Sequence, residues 1–426
     1  MWYDEYEKEV AKGLLDLERR KAVKRGVETY VSTKKQALRS LPRLEGLRKR
    51  AREIKEQSSR HLEDLVKQAS KSIESAGGHA YLAKTSDEAQ RRVAEVVGSG
   101  RLVVKSKSLT CEEISINEVL ESLGKKVLET DLGEFIIQLR GEKPTHLITP
   151  ALHVSREAVA EEFSKLLKRR IEPDIPTLVK TAREFLRSHF LSADVGISGA
   201  NAVAAENGAV FIVENEGNAR FVTNAPPKHI AIVGFDKVVP TMEDALTIVQ
   251  VLPPYATGSP TASYISIISG PSKTADIEKT LTYGVHGPEQ LHVVFVDNGR
   301  TRMAEDPVFR EALCCIRCGA CLFECPIYRI LNGRFGNKYF GGIGAVWSAF
   351  THSLESVAGF TYACTTCGRC KTFCPLDIDI PLLVENLRKL LSRKGFAAPP
   401  HRAIAENIRA SSNPFGEEQA KRLTLG

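Results

Sequence analysis

The sequence predicts an α/β protein flanked by an N-terminal helical region and an all-helical C-terminal module. Three patterns point there: helical spacing of apolar residues up to about residue 75, short apolar runs alternating with amphipathic stretches to about residue 299, and one cysteine arrangement written twice after that. At 426 residues the chain exceeds one ordinary hydrophobic core. Its 42% apolar and 26% charged residues are those of a globular protein, and no uninterrupted apolar run reaches eighteen residues, so no membrane span is expected.

In the first part, 1–76, Leu41, Leu44, Leu47 and Ile54 recur at helical spacing, Pro42 breaks the run, and Gly77-Gly78 marks the boundary. Most of the net charge of +7 lies here, in mixed-sign stretches such as ERRKAVKR and LRKRAREIKE. Interleaved glutamates and the lack of aromatic stacking residues argue against nucleic acid, which leaves a solvated helix face or a docking arm.

The middle part, 77–303, alternates strand and helix and so predicts βαβ units around a largely parallel sheet. The strands are expected at His79–Leu82, Leu102–Val104, Val127–Glu129, His146–Thr149, Asp194–Ile197, Ala209–Val213, Ile230–Val233, Tyr264–Ile268 and His292–Val296. The helices are expected at Ser86–Val97, Glu112–Leu123, Ser155–Lys168, Pro176–Phe190 and Met242–Val251, with Ser86 and Ser155 as N-caps. The third part, 304–394, ends in the amphipathic stretch IDIPLLVENLRKLL, and 395–426 is a linker or docking tail.

Eight of the ten cysteines form two copies of C-x2-C-x2-C-x3-C-P: Cys315, Cys318, Cys321, Cys325 with Pro326, and Cys364, Cys367, Cys370, Cys374 with Pro375. This is the bacterial-type ligand run for a [4Fe-4S] cluster, in which the fourth cysteine serves the other cluster. The expected sets are therefore Cys315, Cys318, Cys321 and Cys374 for one cubane, and Cys364, Cys367, Cys370 and Cys325 for the second. Structural zinc would want two separated cysteine pairs around one ion. Disulfides would want a secretory context, and the charged start of the chain offers no such signal. The 38 residues from Pro326 to Ala363 are long for a compact β-ferredoxin, which favours a helical two-cluster module. Cys111 and Cys314 read as small buried hydrophobes, with Cys314 the alternative of a spare ligand. Arg317, Arg369 and Lys371 interleave with the ligands, either tuning the clusters by charge or simply facing water.

In parallel sheets ligands sit beyond the carboxyl ends of strands. That rule singles out Lys105 and Lys107 after one strand, and Asn218 and Arg220 beside Gly217, as groups for a substrate carboxylate. Glu206 and Glu216 are the candidate general bases. Each has a plainer alternative: Asn207-Gly208 signals a hairpin, Glu216-Gly217-Asn218 a turn, and surface lysines are common. Gly196 and Gly199 lack the G-x-G-x-x-G order, so no flavin or nicotinamide site is evident.

With these residues in view, the chain resembles the lactate utilisation protein B family. The likeness runs through REIKE at 52–56, GGHAYLAK at 77–84, VVKSKS at 103–108, ETDLGEFIIQL at 129–139, THLITPALH at 145–153, DVGISGANAVAAENG at 194–208, ENEGNARFVT at 214–223, HIAIVGFDK at 229–237, VDNGR at 296–300 and both cysteine runs. The resemblance implies a sheet similar to sugar-phosphate isomerases and CoA transferases, joined to an α-helical ferredoxin with two [4Fe-4S] clusters. It implies the iron–sulfur electron-transfer subunit of a complex oxidising L-lactate to pyruvate, inactive alone. Implied partners are a Cys-rich cysteine-motif protein, a second α/β-domain protein of the same type, and a redox partner feeding a membrane quinone pool. The expected place is the cytoplasm, with a peripheral position at the inner face of the cell membrane as the alternative. Asn207 stands where the family pattern has Thr, and LDIDI after Cys374 differs from the bacterial form. Glycolate or heterodisulfide systems with the same architecture stay open, as does a docking adaptor with a catalytically silent α/β domain.

Overall fold

The computed structural model of the chain describes residues 2–417. In chain order its strands are β1 (His79–Ala83), β2 (Leu102–Lys105), β3 (Lys126–Glu129), β4 (Val195–Ser198), β5 (Ala202–Ala204), β6 (Val210–Glu214), β7 (Lys228–Gly234), β8 (Val238–Val239), β9 (Tyr264–Ile268), β10 (Lys273–Thr274), β11 (Thr282–Tyr283) and β12 (Gln290–Val296). Six of them form one parallel sheet in the order β1-β12-β7-β4-β2-β3. β7 and β12 read KHIAIVG and QLHVVFV and are buried beyond their first residues. Unbroken apolar runs of this kind belong to strands covered on both faces. Ile230 and Ile232 enter one core with Val93, Val97 and Ile197, while Ala231 and Val233 enter the opposite one with Val66, Ile73 and Phe235. Period-two alternation thus supplies both layers from one strand.

Two expected strands lie elsewhere. The segments around Ala209–Val213 and Tyr264–Ile268 are antiparallel members of a second sheet, ordered β8-β5-β6-β9. The cause is the Asn207-Gly208 turn: Gly208 has φ 71°, and β5 folds back onto β6. His146–Thr149 is a loop rather than a strand. The His146 ring accepts the backbone N–H groups of Ile148 (3.0 Å) and Thr149 (3.2 Å), which strand pairing would need.

Helix positions follow their caps. Ser155 caps Arg156–Leu167 as expected, but Thr85, not Ser86, accepts the N–H of Glu88 and starts Ser86–Val97. The expected helix Glu112–Leu123 divides into Leu109–Glu113 and Ile116–Ser122 because Ser115 turns left-handed, at φ 49°.

The N-terminal helices are no free arm. Leu17–Arg39 stops before Pro42, and its buried face of Val23, Val27 and Tyr30 shares one core with the cysteine region and the second sheet. Their outer faces keep solvent-screened pairs such as Lys21–Glu18 and Lys24–Glu28, which add little to stability. Past residue 395 the chain forms a helix, Pro399–Ser411, that buries no residue. Residues 418–426 of the expected tail lie outside the described ones.

Candidate functional site

Each cysteine run folds the same way. In the first, Arg317 (φ 63°) and Gly319 (φ 72°) are left-handed, and in the second Thr366 (φ 51°) and Gly368 (φ 82°) occupy the matching places. Such alternation gathers backbone N–H groups into a concave nest that favours negative charge. The N–H of Ala320 serves Cys318, those of Ile327 and Tyr328 serve Cys325, and those of Thr366 and Lys371 serve Cys364 and Cys370. Leu376 and Ile378 do the same for Cys374.

Two cavities lie between the runs. Cys315, Cys318, Cys321 and Cys374 border the first, with Tyr339, Phe340 and Trp347. Cys325, Cys364, Cys367 and Cys370 border the second, with Gly341 and Gly342. Cys321, Ile343 and Ile380 line both, so the cavities share a wall. Gly342 packs closely there, because a Cβ would stand 3.0 Å from Ile380 and 3.1 Å from Val384. Burial, then repulsion among the sulfurs, pushes the Cys370 thiol up to about 12, and burial raises Cys374 likewise to about 12. Four such sulfurs bear negative charge only around a cation. Among the described residues, no three His, Cys, Asp or Glu side chains converge on a single ion. A cubane asks for something else, one thiolate at each of four separate irons; the first cavity offers four cysteine sulfurs and the second five, Cys321 being common to both, with apolar walls and inward N–H groups. The donors fit that group.

Cys111 and Cys314 line neither cavity, and burial raises each thiol to about 11. Arg317 neither faces water nor stands as a free charge: it is buried, 3.2 Å from Asp236, and stacks 3.8 Å from the Trp347 ring centroid. Arg369 and Lys371 are half exposed and paired with Glu324 and Asp379.

A third cavity, of about 390 Å³, opens at the carboxyl ends of β2, β4 and β7. Lys107, Glu216 and Asn218 line it. The Lys107 Nζ is buried without a hydrogen-bond partner, and its nearest carboxylate, Glu134, is 3.9 Å away. Burial raises Glu134 to about 8 against the pull of Lys107. Glu216 is exposed as a residue, yet its carboxyl sits in the cleft, where burial and the nearby Asp131 raise it to about 7.

The other three candidates are spent on structure. Lys105, the last residue of β2, is fully buried between Glu112 (2.9 Å) and Glu129 (2.8 Å) and does not border the cleft. Glu206 is exposed at the hairpin and accepts the N–H of Met242 at 2.7 Å, capping a helix start. Arg220 is exposed over the Tyr264 ring, 4.7 Å from its centroid. A strand-end position names a loop, but it does not say which way a side chain turns.

The cleft also contains Asp131, Asn201 and Lys237, each two or three residues past a parallel strand, so the same rule applied to β3, β4 and β7 reaches them. Burial lowers Lys237 to about 7 against the pull of Asp236. Gly199 is there because a Cβ would stand 2.4 Å from the Ser108 hydroxyl oxygen. Leu147, Ile316 and Arg317 border both this cleft and the first cysteine cavity.

Comparison with known proteins agrees with this layout. The LUD domain model matches residues 66–296 and the 4Fe-4S dicluster domain model residues 311–378. A "Lactate utilization protein B" of Shouchella clausii (strain KSM-K16) is 40% identical over 395 residues, 91% of this chain and 81% of its own length. Its namesake in Bacillus subtilis (strain 168) is 35% identical over 92% of this chain and 81% of its own. An "Uncharacterized electron transport protein YkgF" of Escherichia coli (strain K12) is 36% identical over 93% of this chain and 82% of its own.

Proposed function

This chain belongs to the lactate utilization protein B family, and on that premise we propose that it is the iron–sulfur subunit of a complex oxidising L-lactate to pyruvate. A role in an electron-transfer system of lactate oxidation follows from the family. The observation supporting the finer reading is the pair of cysteine-lined cavities, each bordered by one expected set of four, that share a wall at Cys321. When bound there, two [4Fe-4S] clusters would supply one-electron redox centres side by side. Cys315, Cys318, Cys321 and Cys374 would hold one, and Cys364, Cys367, Cys370 and Cys325 the other.

Oxidation of an alcohol releases two electrons together, whereas a cubane carries one at a time. The chain therefore works with partners that divide the pair: a Cys-rich cysteine-motif protein and a second α/β protein of this type. The final acceptor is reached through a redox partner at a membrane quinone pool. We place that contact peripherally, at the cytoplasmic face; among the described residues no helix is long and apolar enough to cross a membrane. Lys107 and Asn218 are the groups for the substrate carboxylate and Glu216 the base, because these three of the candidates share the cleft.

Anaerobic reconstitution tests the reading. Wild-type protein should take up two clusters, and Cys374→Ser and Cys325→Ser should each lose about half of the iron and sulfide. If Cys374→Ser instead disturbed the signal of the cluster held by Cys364, Cys367 and Cys370, the crossed assignment would be wrong. Lactate should reduce the clusters only when the partner proteins are present, and substantial dye reduction by the isolated subunit would contradict the division of labour.

A further inference from the structure

We propose that the strand-end cleft is a site for a small 2-oxo or 2-hydroxy carboxylate whose occupancy is linked to the redox state of the neighbouring Cys315/Cys318/Cys321/Cys374 centre, through the shared wall at Arg317. The proposal rests on the reading that those cysteines hold a cubane.

The ligand class follows from the walls. Lys107, Lys237 and Arg317 bring three basic groups to one cavity, Arg317 with Asp236 3.2 Å behind it. The Lys107 Nζ and the Arg317 Nε and Nη1 are buried without hydrogen-bond partners. An unmet buried donor is destabilising, and a bound anion removes that cost. Asp131 and Glu216 stand in the same cavity and disfavour a dianion such as phosphate, yet they can accept the O–H of a 2-hydroxy monoanion, while the keto oxygen of a 2-oxo acid, which only accepts, would meet donors such as Lys237 and Asn218 on the same walls. A volume of about 390 Å³ lies at the small end of ligand pockets, which run from ~300 Å³ upward.

The linkage follows from the shared wall. Arg317 lies between Cys315 and Cys318 in the chain and borders both cavities. A carboxylate on its free N–H groups puts a negative charge beside a centre that gains one electron on reduction. Like charges in a poorly screened interior repel. The carboxylate therefore binds the oxidised protein more tightly, and by reciprocity it makes the midpoint potential more negative by the same factor. A coupling of about fivefold or more is expected from ordinary site-to-site couplings. A tenfold change would correspond to ~59 mV for this one-electron step.

The test uses the full chain with both clusters reconstituted. Calorimetry with pyruvate and L-lactate is run on the oxidised protein and on protein reduced by dithionite, and EPR-monitored redox titrations are run with and without saturating pyruvate. Saturable binding to the oxidised form, about fivefold weaker binding after reduction, and a matching negative shift of one cluster are the expected results. Lys107→Met should abolish binding and shift together while iron content and the ligand-free spectrum hold; Asn218→Ala is the second variant if Lys107→Met loses its clusters. Absence of pyruvate and lactate binding to protein with both clusters intact would overturn the site and leave the electron-transfer reading standing. Equal affinity in both redox states would overturn the linkage, and preferential binding of inorganic phosphate would overturn the ligand class. Failure of the wild-type chain to assemble clusters would sink the cofactor reading and this inference with it.

Discussion

Lys105 and Lys107 are two residues apart and have opposite fates. Lys105 still belongs to β2, and its ammonium is enclosed by Glu112 and Glu129; Lys107 lies past the strand, and its ammonium meets the cleft. Although burial alone would raise it, Glu112 is held low by Lys105, while burial keeps Glu129 raised. Removing the cation leaves two buried carboxyls without it, which costs ~3–5 kcal/mol for a pair of this kind. Lys105→Met is therefore expected to lower the urea midpoint strongly, and Lys105→Met with Glu129→Gln to recover part of the loss. An unchanged midpoint for the single variant would show the pair to be dispensable. His229 gives a pH test. Burial, helped by His292, lowers it to about 3 in the fold, against about 6.5 for an unperturbed imidazole. The unfolded chain then binds one more proton between those values, so stability falls as pH drops below about 6.5, by ~1.4 kcal/mol per pH unit. His229→Gln should remove that share of the slope in urea titrations between pH 5 and 7.

At the scale of elements, close approach decides more than propensity does. A Cβ on Gly196 would stand 1.9 Å from the carbonyl oxygen of Val222, because the helix Asn218–Asn224 lies directly on β4. The residues that look like a fragment of a nucleotide loop are packing glycines. Gly196→Ala should push that helix off the sheet and cost ~1–3 kcal/mol or more, as overpacking does, read as a lower denaturation midpoint. Wild-type stability would mean that the helix can shift freely. Long periodic segments such as Ser86–Val97 and the buried runs of β7 and β12 were legible from residues alone. His146–Thr149 was not, since one imidazole there takes the N–H groups that a strand would pair.

Across the whole molecule, buried ion pairs join the three parts. Asp236, just past β7, meets Arg300 (2.5 Å) and Arg317 (3.2 Å), and Arg300 continues to Glu113 (2.8 Å). Burial opposes ionisation, but the two guanidiniums hold the Asp236 carboxyl well below its usual range. From the N-terminal side, Lys34 reaches Glu324 (2.9 Å), and Arg48 donates to the carbonyls of Cys374 (3.2 Å) and Pro375 (2.8 Å). The basic excess of the first helices is partly spent on holding the cysteine runs. Asp236→Asn should loosen the Cys315–Cys318 loop against the sheet, costing ~3–5 kcal/mol and exposing the segment before Cys315 to protease. A protease pattern like that of the wild type would place the junction's strength elsewhere.

The sequence by itself determined the cysteine spacing, the parallel sheet's strands and the strand-end loops, because ligand reach, period-two burial and chain connectivity are local properties. Only the tertiary structure decided that Lys107 rather than Lys105 meets the cleft, and that Arg317 joins the cleft to the cysteines. Those facts depend on which distant side chains compete for the same buried charge and space, and no spacing along the chain encodes that.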